Sequence, residues 1–118
     1  MEFEKIVSKQ REFAKEREWD QFHHPKNLVM ALSGEVGELT EIFQWLSTEQ
    51  SSEVMNDEKR AEEVRHEMAD VFYYLVRLAD RLGVDLEAAF WEKMRLNERR
   101  YPVEKARGSA KKYTELET

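Results

Sequence analysis

The sequence predicts an all-α fold, a bundle of four main helices, from three observations. Breakers are scarce, with four glycines and two prolines in 118 residues. Charged residues make up 37% of the chain, and Glu, Lys, Arg and Ala, all good helix formers, are frequent. Apolar residues also recur at the 3.6-residue helical spacing over long stretches. At this length the chain is large enough for one core and too short for two.

The first helix is predicted over residues 2–18, with Phe3, Ile6, Val7, Phe13, Ala14 and Arg17 on one stripe and Gln10 inside it. WDQFHHPKN then breaks the pattern, because the residue before Pro25 is pushed out of helical geometry. Asn27 is the predicted N-cap of a second helix running to residue 46. STEQSSEVMND reads as a loop, and Asp57 as the cap of a third helix reaching Leu82. Gly83 supplies a stop, Asp85 caps a fourth helix to Arg100, and Pro102 ends it. Residues 1–100 form the predicted helical domain. Residues 101–118, basic at first and without a core pattern, read as an extended arm of the same domain.

Composition narrows the function classes. With no cysteine there is neither a disulfide framework nor a thiolate metal site. A formal net charge of −6 argues against sequence-independent nucleic-acid binding, since no basic field recruits phosphates. The opening MEFEKIVSKQ is charged from its second residue, unlike a signal peptide, and no apolar run approaches the ~20 residues that span a bilayer. A soluble cytoplasmic protein with no membrane or nucleic-acid partner is expected.

The anomaly lies in GEVGELTEIFQW. On a helical wheel Glu35 falls in the middle of the arc made by Leu28, Leu32, Leu39, Ile42, Phe43 and Leu46, and Glu38 follows three residues on. The third helix repeats it. Val64, Met68, Val71, Leu75, Leu78 and Leu82 define an apolar arc with Glu67 at its edge and Asp70 just beyond. Residues three apart are neighbours on a helix, so antiparallel packing would make all four acids converge. Converging carboxylates beside a core repel and lose hydration unless they are protonated, paired with Lys or Arg, or bound to a hard cation. Apart from the distant Arg60, neither arc carries a basic residue. An oxygen-only cluster suits Mg²⁺ or Mn²⁺ rather than zinc. Against this stands the plainer reading of solvated helix-face acids. A di-iron site is a weaker competitor, because Glu63-x-x-His66 occurs once and His66 points away from the arc. Gly34 and Gly37, costly inside a helix, point to close approach by a backbone or ligand, or to close helix packing.

ExxE, a 28-residue spacer and ExxD resemble the MazG-like superfamily of all-α nucleoside triphosphate pyrophosphohydrolases. EREWDQFHHPKNLVMALSGEVGELTEIFQW, EMADVFYYLVRLA, KMRLNERRYP and ARGSAKKYTEL extend the likeness to its dCTP pyrophosphatase branch. The resemblance implies hydrolysis of a nucleoside triphosphate to a monophosphate and pyrophosphate. It implies Glu35, Glu38, Glu67 and Asp70 as magnesium ligands. Trp19, His23 and Trp45 then fall at the base pocket, and Tyr74, Lys93 and Asn97 at sugar and phosphates. Some relatives carry histidine at the place of Gln10, a difference that bears on base selection.

In-line attack needs a base near the attacking water, and a cluster carboxylate can serve. Glu38, at the edge of its arc and nearer solvent, is preferred, with Glu35 and Glu41 as alternatives. Phe90, Met94, Asn97 and Tyr101 share a face of the fourth helix, with Lys93 at its margin. Arg107, Lys111 and Lys112 can fold over phosphates or remain a solvated arm. Wide apolar arcs with little chain to cover them predict a homodimer or homotetramer, as does the resemblance. The rival functions are a non-catalytic nucleotide- or metal-binding regulator and a pure oligomerisation bundle. Carboxylates inside an apolar arc count against the last.

Overall fold

Short-range chemistry sets the helix ends. The computed structural model describes residues 1–116, in which the elements are α1 (Phe3–Glu16), α2 (Pro25–Phe43), α3 (Thr48–Ser52), a 3-10 turn (Val54–Asn56), α4 (Glu58–Leu82), α5 (Leu86–Arg100), α6 (Val103–Ala106) and α7 (Tyr113–Leu116). The all-α class is as predicted, with α1, α2, α4 and α5 as the four main helices. Asp57 caps α4 by accepting from the backbone N–H groups of Lys59 and Arg60, and Asp85 caps α5 by accepting from Ala88 N–H.

Two helices close in the same way. After α4, Val84 N–H bonds Ala79 C=O and Gly83 N–H bonds Asp80 C=O, with Gly83 left-handed at φ 69°. This is a Schellman motif. After α1, Trp19 N–H bonds Ala14 C=O and Glu18 N–H bonds Lys15 C=O, but the left-handed residue, at φ 57°, is Glu18. The motif brings Trp19 back over α1, where its ring meets Phe13 edge-on at 5.5 Å. That contact joins the residue after the turn to the last helical turn, as such motifs favour.

Three local expectations need correction. Asn27 is not an N-cap: α2 begins at Pro25 with His24 extended before it, and Asn27 Nδ2 donates back to Phe22 C=O at 2.9 Å. Proline suits the first helical position, where its missing N–H costs nothing. Residues 47–57 are not an open loop. Ser47 and Gln50 form a capping box, Gln50 N–H donating to Ser47 Oγ and Ser47 N–H to Gln50 Oε1, and α3 follows. Nor is the segment after Pro102 wholly extended, because it contains α6 and α7.

The chain divides into two units, Met1–Val84 and Asp85–Thr118. In the first, α4 packs along α2 and also meets α1 and the 3-10 turn. Its buried apolar residues are Ala14, Leu28, Val54, Ala61, Val64, Val76 and Ala79, and of the larger side chains only Leu28 and Val76 are fully enclosed. The core is thin. Met68, Leu75 and Leu82, expected on the packed arc of α4, are exposed, as are Val29, Met30 and Val36 of α2. The packed side of α4 instead runs through Ala61, Val64, Val76, Arg77 and Ala79. In the second unit Phe90 and Trp91 meet edge-on at 5.1 Å, and Arg100 lies 4.4 Å from the ring centre of Tyr113. No helix among the described residues is long and apolar enough to cross a membrane.

Nothing among the described residues of the first unit lies within 4 Å of where a Cβ would stand on Gly34 or Gly37. Gly83→Ala should lower stability by about 1 kcal/mol through left-handed strain alone. Gly34→Ala should raise it by about 1 kcal/mol through helix propensity. Urea denaturation of the two variants checks both signs. A loss at Gly34 would mean that something outside the first unit is seated there.

Candidate active site

The direction of α4 against α2 follows from four contacts. Arg77 and Arg81, late in α4, bond His23 just before α2, whereas Glu67 meets Glu35 and Glu38 further along α2. Glu63, earlier in α4, lines a concavity with Glu41 and Ile42. The helices are antiparallel, and their acid pairs share one seam.

Glu35, Glu38 and Glu67 each present a carboxylate oxygen within 4.8 Å of the others. Glu38 and Glu67 open on a concavity of about 490 Å³ that Glu41, Ile42 and Glu63 also line. Glu35 and Glu67 are half-buried, and Glu38 is exposed. Glu35 Oε2 and Glu67 Oε2 are buried without a hydrogen-bond partner, and among the described residues no Lys, Arg or His forms an ion pair with any of the four acids. Burial, then hydrogen bonding with Glu67 and Glu38 and the charges of Glu38 and Asp70, raises Glu35 to about 7. In Glu67 the hydrogen bond with Glu35 pulls downward, but desolvation together with Glu38 and Asp70 prevails and the carboxyl is also raised. Asp70 is exposed and its oxygens lie outside the group of three, although its charge reaches Glu35, Glu67 and Tyr74. A divalent cation fits this donor set: hard oxygens, two of them unpartnered, with a proton as the alternative compensation. No histidine joins the cluster among the described residues, and His66 of the di-iron alternative is exposed.

A path of rings connects the start of α2 to the acids. His23 lies 6.2 Å from Trp19, Trp19 5.5 Å from Phe13, Phe13 6.5 Å from Tyr73, and Tyr73 5.1 Å from Tyr74. Tyr74 stands one turn beyond Asp70 on α4, and burial, then the charges of Glu35 and Asp70, raises its hydroxyl. Gln10 is buried, and its Nε2 donates to Tyr73 C=O at 3.3 Å. Its Oε1 and the Tyr73 hydroxyl are buried without partners. All four orphaned buried side-chain atoms among the described residues thus belong to the ring path or the acids. Buried polar atoms are nearly always bonded, so such a concentration points to a ligand.

Trp45 is placed elsewhere. It is 86% exposed, beyond the far end of α2 from Trp19. The 19 residues of α2 separate the two indoles by about 28 Å of helix, so they do not close on one base within a single chain. In the second unit, Lys93 is exposed and Asn97 half-buried on α5, and Arg107 and Lys112 are exposed beyond it.

The sequence reading missed a buried cation. Arg77 is 2% exposed, donating from Nε to His23 Nδ1 at 3.0 Å, from Nη2 to Asp20 Oδ1 at 2.7 Å and from Nη1 to Asp80 Oδ2 at 3.4 Å. Arg11 braces Asp80 from α1, its Nε donating to Oδ2 at 2.9 Å. That bond leads in holding the Asp80 carboxyl below its usual range. Helical spacing could have found Arg77, because it continues the stripe of Glu67, Asp70 and Tyr74.

These features define an all-α protein with a carboxylate seam suited to a hard cation. The MazG-like family model matches residues 30–116, and the chain belongs to that family. It is 54% identical over 106 residues to a mouse (Mus musculus) protein named dCTP pyrophosphatase 1, and 52% identical over 106 residues to the human (Homo sapiens) protein of the same name. Each match covers 89% of this chain and 62% of the relative, so the chain spans about three fifths of the length of the curated proteins it matches. The crystal structure of a pyrophosphatase from Archaeoglobus fulgidus superposes with a TM-score of 0.80 at 43% identity, covering 86% of this chain and 94% of that one.

The raised carboxyls give the metal-free protein a defined pH response. A carboxyl whose folded pKa exceeds its unfolded value favours the folded state while protonated, and that contribution is lost as pH rises through the folded value. With chelator present, stability should fall between about pH 4.5 and about 7. Glu35→Gln should flatten the fall. Thermal melts across that window measure it, and a stability that rises there in the wild type would contradict the shift.

Proposed function

We propose that this chain is a magnesium-dependent nucleoside triphosphate pyrophosphohydrolase acting on dCTP or a closely related (deoxy)nucleoside triphosphate. The observation that carries the reading is the seam itself, three carboxylate oxygens within 4.8 Å with two buried oxygens unpartnered and no cationic side chain to compensate them. Names carried by the mouse and human relatives favour dCTP.

Glu35, Glu38 and Glu67 would hold the cation, with Asp70 completing the set from the same face of α4. Mg²⁺, or Mn²⁺ in its place, would supply charge neutralisation for the triphosphate and a lowered pKa for a bound water. Glu38, the exposed member, is the carboxylate best placed to take the proton of the attacking water. Water adds at the α-phosphorus, the bond to the α–β bridging oxygen breaks, and a monophosphate and pyrophosphate leave. Trp19 and His23 hold the base, and Tyr74 stands between it and the acids. Stacking on one exposed indole contributes ~1–3 kcal/mol, enough to orient a base. The family resemblance assigns Lys93 and Asn97 to sugar and phosphates, and Arg107 and Lys112 are the basic groups that would join them on the phosphates.

The separation of Trp19 from Trp45 and the exposed apolar residues of α2 and α4 fit a homodimer or homotetramer, in which a second copy brings its Trp45 to the pocket.

With dCTP as substrate, chromatography should show dCMP and pyrophosphate, and accumulation of dCDP would contradict the reaction. Glu35→Gln and Glu38→Gln should each lower kcat by about 10²-fold or more, and chelator should abolish turnover in the wild type. Full activity in these variants with chelator present would remove the cation from the reading. Trp45→Ala, at an exposed position, should leave chemical stability within about 0.5 kcal/mol. It should raise KM for dCTP and dTTP by similar factors, since stacking does not distinguish bases.

A further inference from the structure

We propose that Arg77 is a positioning residue that fixes His23 as a hydrogen-bond donor at Nε2, so that His23 selects a base offering a ring-nitrogen acceptor. The ligand in this statement rests on the nucleotide reading above, whereas the tautomer rests on geometry alone.

His23 is 8% exposed and Arg77 2%, so no bulk water competes for the bond between them. Arg77 Nε lies 3.0 Å from His23 Nδ1. A guanidinium has donors only and keeps its proton in proteins, so Nδ1 must present its lone pair. A neutral imidazole with a bare Nδ1 carries its proton on Nε2. A proton on Nδ1 would set two N–H groups against each other and an imidazolium against the arginine charge.

The guanidinium has little freedom to turn. Asp20 takes Nη2, Asp80 takes Nη1, and Asp80 is itself held by Arg11. From the same helix, Arg81 Nε donates to His23 C=O at 3.2 Å and fixes the histidine backbone. The charges facing the ring are Arg77 and Arg81 of α4 and Asp20 of the preceding turn. Burial first, then Arg77, holds His23 below the ordinary histidine range, while Asp20 opposes them. The ring therefore stays neutral where an exposed histidine would begin to protonate.

The hydrogen bonds of His23 among the described residues run through Nδ1 and its backbone, none through Nε2, and Nε2 is not among the buried atoms left without a partner. With Nδ1 committed to Arg77, Nε2–H is the polar group left for a ligand beside the 41%-exposed indole of Trp19. Cytosine offers a bare N3 to such a donor. Thymine and uracil carry a hydrogen on N3 and present donor to donor. Preference for cytosine thus depends on a residue that need not touch the nucleotide.

Long-range ¹H–¹⁵N spectra of imidazole-labelled protein read the tautomer directly, with His23 assigned by the signal missing in His23→Gln. The wild type should show the neutral Nε2–H form at pH 7 and a His23 pKa below the ordinary value of about 6.5. In Arg77→Met the signals should shift toward a tautomer mixture, the pKa should rise, and the ratio of kcat/KM for dCTP over dTTP should fall about tenfold. A wild-type ring protonated on Nδ1 overturns the proposal, and that measurement stands even where Arg77→Met fails to fold. An altered tautomer with an unchanged dCTP to dTTP ratio overturns the specificity role. The spectra need no substrate, so failure of the hydrolase reading is seen separately, as absence of turnover on every triphosphate in the wild type.

Discussion

Glu35 and Glu67 face each other because α2 and α4 run antiparallel in close contact, and this opposition of like charges is the constraint around which the first unit is built. Neither acid can be solvated fully without parting the helices. Neither can be paired internally, because the seam holds no lysine or arginine at that level. Without an added ion the folded chain answers by retaining a proton, hence the upward shift of Glu35. The same arrangement that costs stability in the bare chain is what a cation would relieve, so ligand binding and folding are coupled at one point.

Ten residues further along α4, about 15 Å by helical rise, the seam carries the opposite problem and a different solution. Arg77 is buried, and it is compensated inside the chain by Asp20, Asp80 and the neutral His23. One stripe of α4 therefore carries an uncompensated negative level at Glu67 and a compensated positive level at Arg77, with Tyr74 between. Burying a charge is tolerable when its hydrogen bonds are complete, and breaking one partner is then costly. The arginine level is compensated within the chain, whereas the carboxylate level is left without a cationic partner among the described residues.

Much of this was legible in the sequence and some was not, for identifiable reasons. The acid pairs stood out because Glu35 interrupts an apolar arc whose period is fixed by helix geometry. The caps at Asp57 and Asp85 and the stop at Gly83 were readable because capping chemistry is local. The outward turn of Met68, Leu75 and Leu82 was not, since periodicity marks a stripe as apolar without saying whether this chain covers it. Nor was the left-handed Glu18, because the residue that ordinarily marks such a helix-closing turn is glycine, and a glutamate there reads as one more helical residue. The capping box at Ser47 and Gln50 is local chemistry, but the polar composition of the segment around it is equally that of a loop. Arg77 shares the stripe of the acids, but its burial is not legible there, because a lone arginine on a helix is ordinarily solvated and its partners Asp20 and His23 lie more than fifty residues away.

Both ends of the ring path rely on strain or burial close to where a ligand would sit. At one end Glu18 holds the left-handed conformation that glycine usually supplies, and this turns Trp19 back onto Phe13. At the other, Tyr73 and Gln10 keep polar atoms buried without partners. Each is unfavourable in the bare chain by roughly one to a few kcal/mol. They are retained within a core whose fully enclosed larger side chains are only Leu28 and Val76. A core that thin has little surplus to spend on defects without use. The nucleotide reading would give these three features a single use, as parts of one surface running from Trp19 toward Glu35.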